Sequence, residues 1–178
     1  MSRLVVLALL SSMAGCGDDP VAYSETISIR LSGIKNGDIA NGQASEDKNI
    51  NSEVGNPYAA FLKTARERLG RDPGLIEIVS ATVRVHADSK NISSLDVVFA
   101  DMELFMADSA TTIPFAHRAT ISGSSLGFPI DDDVDYEPIA ASMLGGDFKV
   151  GARGATVALP PDDFDLKLTL DLEFEAFE

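Results

Sequence analysis

Toward its C-terminus the chain alternates apolar and polar residues without a break. Phe164, Leu166, Leu168, Leu170, Leu172, Phe174 and Ala176 fall on every second position, separated by Asp165, Lys167, Thr169, Asp171, Glu173 and Glu175. Successive side chains of a strand point to opposite faces, so this spacing predicts a long strand with one face in a core and the other in water, as in an antiparallel sheet. Shorter stretches repeat the pattern: Ile27, Ile29 and Leu31; Val79, Ala81, Val83 and Val85; Val98, Ala100, Met102, Leu104 and Met106; Ile113, Phe115, Ala119 and Ile121. Phe148, Val150 and Ala152 lie on even positions, while Ala155, Val157 and Leu159 lie on odd ones. A bulge at Arg153-Gly154 would account for that switch of face. Pro160-Pro161-Asp162-Asp163 then reads as a turn into the last strand.

Two segments carry helical spacing instead. Asn56 is suited to cap a helix that begins at Pro57, where proline is tolerated. Tyr58, Phe61, Leu62, Ala65 and Leu69 form its apolar stripe, Lys63, Arg66, Glu67 and Arg68 its wet side, and Gly70 its stop. A shorter helix is expected from Pro138 to Leu144, ending at Gly145-Gly146. Residues 33–55 form the one long polar stretch and read as a loop, long enough to be either functional or a tolerated insertion. The expected fold is mainly β: an antiparallel β-sandwich of about six or seven strands, with one helix over about 57–69 covering an end or open face. A partly open β-barrel is the alternative, because strand order cannot be read from the pattern.

The N-terminus follows a different logic. Arg3 precedes an apolar run from Leu4 to Leu10, and the small residues Ala14 and Gly15 stand directly before Cys16, the only cysteine. The run is too short to span a bilayer, which takes about 20 residues, and has the order of an export signal. Met13-Ala14-Gly15-Cys16 resembles the lipobox of bacterial lipoproteins. That resemblance implies cleavage before Cys16, a diacylglyceryl group on its thiol, and attachment to a bacterial membrane in the cell envelope, at the outer membrane or the periplasmic face. Lipidation would also consume an unpaired thiol that is a liability in an oxidising compartment. The division that follows is a signal over residues 1–15, the lipidated cysteine and a short tether over 16–22, and a single β-rich domain over 23–178.

The full chain carries a net charge of −14, and the signal would remove one cation and no acid. Such a surface repels nucleic acid and gives little purchase on anionic headgroups. Candidate chemistry is sparse. Gly123-Ser124-Ser125-Leu126-Gly127 matches the letters of a nucleophile elbow, but Phe128-Pro129-Ile130 cannot open the required helix and both histidines, His86 and His117, precede the serine. His117 shares the apolar parity of Phe115 and Ala119 and is expected in the core or at a strand end, its nitrogens on backbone partners; His86 falls on the polar side of its strand. Two histidines and a spent cysteine fall short of a zinc ligand set.

The densest acidic segment is Asp131-Asp132-Asp133-Val134-Asp135-Tyr136-Glu137. If extended, it presents Asp131, Asp133, Asp135 and Glu137 on one face, oxygen ligands of the kind calcium takes, although no EF-hand glycine or glutamate follows at the right spacing. The other reading is a charged edge that discourages strand pairing. Asp162, Asp163 and Asp165 are a possible spatial complement. The sequence thus points to a non-catalytic, lipid-anchored envelope protein that binds another envelope protein. The alternative is a calcium- or small-ligand-binding lipoprotein that uses residues 131–137. No catalytic set and no resident cofactor other than calcium is expected.

Overall fold

The alternation becomes two antiparallel four-stranded sheets in the computed structural model, which describes residues 21–158, 160 and 163–178. Cys16 and most of the tether, together with Leu159, Pro161 and Asp162, lie outside the described residues. In chain order the elements are β1 (Ala22–Ile34), β2 (Gln43–Asn51), α1 (Pro57–Leu69), β3 (Leu75–Val85), β4 (Met102–Ala107), β5 (Thr112–Arg118), β6 (Ser125–Phe128), α2 (Ala140–Gly145), β7 (Asp147–Ala155) and β8 (Leu166–Phe177). Sheet 1 has the order β1-β8-β3-β6 and sheet 2 the order β2-β7-β4-β5, the arrangement of a β-sandwich. β1 begins at Ala22, which pairs with Phe177, so the sheet starts inside the segment expected to be tether.

β8 is central in its sheet, flanked by β1 and β3. Every even residue from Phe164 to Ala176 is buried, as the alternation requires. Of the odd residues, Thr169 is itself buried and Asp165, Lys167, Asp171, Glu173 and Glu175 are half-buried, as befits a strand flanked on both sides. α1 matches its sequence signals closely. Asn56 accepts a hydrogen bond from the Tyr58 amide at 2.9 Å, Pro57 takes the first turn, and Gly70 ends the helix in the left-handed region at φ 74°. Tyr58 and Phe61 of α1 pack with Phe148 and Phe174, which joins the helix to both sheets in one apolar cluster. The Tyr58 hydroxyl donates to the Met143 carbonyl at 2.9 Å and so ties α1 to α2.

Several expectations need correction. The stretch 33–55 is not a loop: it contains a short 3-10 turn (Asn36–Asp38) and the whole of β2. β2 is an edge strand in which only Ala44 and Ile50 are buried, so its alternation is almost invisible. It also raises the number of strands to eight among the described residues. Val79 does not share a face with Val83, because a bulge between Ile78 and Ser80 turns it outward, where it is 40% exposed. The segment 98–106 is a strand only from Met102; Leu95–Val97 form a 3-10 turn.

No bulge occurs at Arg153-Gly154. β7 runs in register through Ala155, opposite Ser45, Ala44 and Gln43 of β2. Glycine is needed at 154 because the Asp101 carbonyl lies where a side chain would begin: a Cβ there would stand 2.2 Å from that oxygen. Gly151 plays a similar part on the outer face of sheet 2. The Phe105 ring lies across it from β4, capped by the Arg153 guanidinium 5.2 Å from the ring centre. An aromatic over a cross-strand glycine replaces the packing that glycine lacks, and it buries Phe105 on a face that alternation assigns to solvent.

Candidate functional site

Asp131-Glu137 does not form an extended strand. Its backbone turns, with the Val134 amide reaching the Asp131 carbonyl at 3.4 Å, and leads into a 3-10 turn at Glu137–Ile139. The four carboxylates therefore do not share one strand face. The segment's apolar side still faces inward: Tyr136 is buried and Val134 half-buried. β6 pairs only with Ala81–Arg84 of β3. Beyond that point one hydroxyl replaces a strand: the Tyr136 phenol accepts from the Ile78 amide at 3.2 Å and donates to the Ile78 carbonyl at 3.0 Å. Burial pushes the phenol pKa up to about 12.

Asp131, Asp133 and Asp135 line a shallow hollow of about 350 Å³ against Thr112, Ile113 and Pro114 of β5; Glu137 does not line it. The Asp135 carboxylate is engaged by the Glu137 amide at 3.0 Å. Among the described residues no group of three or more His, Cys, Asp or Glu side chains is arranged to hold a metal ion. Asp165 is not a spatial complement. It lies at the start of β8 in the other sheet, bridged to Lys90, and one of its carboxylate oxygens is buried against Gly33 without a hydrogen-bond partner.

His117 is exposed, not in the core. A bulge in β5 opposite Leu104 and Phe105 leaves Phe115 and Ala116 both buried and turns His117 outward, opposite Glu103. Ser125 begins β6 opposite Arg84 in the other sheet. Gly123, at φ 78°, is part of a turn: its amide donates to the Asp96 carboxylate at 3.0 Å and its carbonyl accepts from the Leu95 amide at 2.9 Å. A strand follows this turn where a nucleophile elbow requires a helix. His86 is fixed at the end of β3, where its Nδ1 accepts from the Asp88 amide at 3.1 Å. The outer face of sheet 1 carries a bidentate ion pair, with Arg84 Nε and Nη2 at 2.5 and 2.9 Å from Asp171 and Ser28 donating to the same carboxylate at 2.5 Å. Chiefly through Arg84, this holds the Asp171 carboxyl below its usual pKa.

The feature that sequence reasoning missed is the end of the sandwich opposite the start of β1. Four connections meet there, 35–42, 86–101, 119–124 and the described parts of 156–165, and hydrogen bonds tie them together. Thr156 N–H donates to Gly42 at 2.9 Å, Leu95 N–H to Gly123 at 2.9 Å and Lys90 N–H to Asp165 at 2.9 Å, while the Asn91 side-chain amide donates to the Asp163 carbonyl at 2.8 Å. Three non-glycine residues among those described have left-handed backbone, Asn41, Asn91 and Asp163, and all three lie in these connections. Asparagine and aspartate adopt that conformation more readily than other side chains, which was the available signal: Asn41-Gly42 is legible as a turn, but its neighbours in space are not. No family model matches the chain, and no curated protein matches it. Among the described residues no helix is long and apolar enough to cross a membrane.

Proposed function

We propose that the protein is a non-catalytic, lipid-anchored module of the bacterial cell envelope that docks another envelope protein through the four-loop end of the sandwich. The observation that carries the reading is the clustering of Asn41, Asn91 and Asp163 in loops that hydrogen-bond to one another. Backbone held in sparsely populated regions collects where a surface must be pre-formed, and a pre-formed surface loses less entropy on binding. A second observation concerns orientation. β1 starts six residues after Cys16, a reach of at most about 20 Å when extended. A lipid on Cys16 would therefore hold the β1 end near the bilayer and leave the loop end facing outward.

Metabolic labelling with an alkyne fatty acid tests the anchor. Wild-type protein takes up the label and sediments with membranes, whereas Cys16→Ser does neither. An unlabelled wild type, or a Cys16→Ser variant that still sediments through detergent-sensitive attachment, overturns the anchored form of the reading.

A further inference from the structure

The edge strands β1 and β2 lie against each other where the two sheets meet. Between Ile27–Arg30 and Lys48–Ile50, under the first turn of α1, lies a hollow of about 290 Å³. Its floor is apolar, made by the buried side chains of Ile27, Ile29, Ile50 and Tyr58. Its rim carries Arg30 and Lys48, and no acidic residue lines it, in a chain with 28 acidic and 14 basic residues. This contrasts with the hollow beside β5, which three aspartates line.

The two cations are not equivalent. Arg30 is engaged with Asp88 at 2.6 Å. Lys48 stands on the inward-facing parity of β2, with Ala44 and Ile50, and has no ion pair or side-chain hydrogen bond among the described residues. Three other polar side chains of the lining are occupied, the Tyr58 hydroxyl by Met143, the Asn56 amide by Asn51 and the Ser28 hydroxyl by Asp171, while Asn49 is exposed on the opposite parity of β2 from Lys48. An inward lysine on an edge strand can simply prevent strand pairing, but that role does not require an apolar hollow beside it. A site with a dry floor and one unspent cation at the rim complements a ligand with an apolar body and one negative charge. The volume is roughly twice that of a ~150 Å³ cavity that accepts benzene, which leaves room for an alkyl chain of about six to ten carbons.

We propose that this hollow binds a medium-chain amphipathic carboxylate, its alkyl chain on Ile27, Ile29, Ile50 and Tyr58 and its carboxylate paired with the Lys48 ammonium. The site is separate from the loop end and does not depend on the docking reading. The test uses the full-length chain with Cys16→Ser, so that no attached lipid competes, titrated with sodium octanoate below its micelle concentration and, in parallel, with octan-1-ol. The expected result is saturable 1:1 binding of octanoate with shifts of the Ile27, Ile29 and Ile50 methyl resonances. Lys48→Met, which keeps the stem and removes the charge, should weaken octanoate by about tenfold or more, as expected for loss of a charge-assisted contact, and leave octanol unchanged. Lys48→Arg should restore binding to within a few-fold. Failure of octanoate to saturate, equal affinity in Lys48→Met, or methyl shifts confined to Ile113 and other residues away from β1 and β2 would overturn the proposal. Because Lys48 is exposed, these variants are expected to fold, and unchanged melting temperatures would show that a lost affinity is not lost structure.

Discussion

Replacing Tyr136 by phenylalanine removes one oxygen and leaves every apolar contact of the ring in place. That oxygen serves both the amide and the carbonyl of Ile78, at 3.2 and 3.0 Å, at the edge of β3 that β6 is too short to cover. Ile78 is 1% exposed, so its freed groups have little access to water. A buried polar group left without a partner costs about 1–3 kcal/mol. With two such groups, partly relieved by local relaxation, the expected loss is about 2–4 kcal/mol, a large share of the ~5–15 kcal/mol that stabilises a typical domain. Tyr58→Phe is the internal control, because its hydroxyl serves only the Met143 carbonyl; the expected loss there is about 1 kcal/mol. Urea denaturation followed by far-ultraviolet circular dichroism measures both. The midpoint should fall further for Tyr136→Phe than for Tyr58→Phe, with the slope unchanged because the surface exposed on unfolding is the same. Amide exchange at Ile78 should accelerate in Tyr136→Phe alone. A loss below about 0.5 kcal/mol, within the range of ordinary surface substitutions, would refute the claim that this hydroxyl replaces a strand.

Other expectations follow from the same packing and electrostatics. Gly151→Ala would put a methyl 2.5 Å from the Phe105 ring and 2.6 Å from the Glu46 carbonyl, so it should cost about 1–3 kcal/mol by overpacking and, in chemical denaturation, exceed Gly37→Ala, where nothing lies within 4 Å. The folded-state phenol of Tyr136 is raised to about 12 from an ordinary value of 10.0, so its contribution to stability is complete below pH 10 and lost as pH rises towards 12. With no tryptophan to interfere, tyrosinate absorbance should show one early step, from Tyr23, and later ionisation of Tyr136 and Tyr58; simultaneous titration of all three in the folded state would contradict the burial. The Asp171 carboxyl is depressed, so the stability it contributes is present above the ordinary carboxylate pKa and lost as pH falls through its lower folded value. Acid denaturation of Arg84→Met should accordingly begin at higher pH than in wild type, and coincident acid transitions would exclude the linkage. Calcium at about millimolar concentration, the weak end of the range for protein sites, should leave the melting temperature unchanged; a rise abolished by Asp133→Asn/Asp135→Asn would establish a cation site at the β5 hollow.

Legibility followed position within the sheets. β8 sits between two strands and buries one whole face, so its alternation is complete and marks the strand along its length. α1 carried its cap, its proline and its terminal glycine in order, and its limits were readable to the residue. β2 was hidden because an edge strand buries little: polar residues serve it as well as apolar ones, and its partner β7 is more than ninety residues away. The misplacement of Val79 and His117 has one cause, since each follows or occupies a bulge that reverses parity, and a bulge leaves no mark in composition. The alternating acids of Asp131-Glu137 suggest an extended segment with one charged face, whereas the buried Tyr136 is what positions it. The loop end was the least legible feature, because it is made by four segments that only strand register brings together.

The central claim is that this end meets a partner. A photo-crosslinking residue placed in intact cells at Asn41, Asn91 and Ser124, and for comparison at Val54 and Lys63 on the α1 side, tests it most directly. The account predicts one crosslinked envelope protein of constant mass from the three loop positions and none of that mass from the α1 side. Crosslinks to that protein from Val54 or Lys63 but not from the loops, or no discrete adduct at any position, would contradict it.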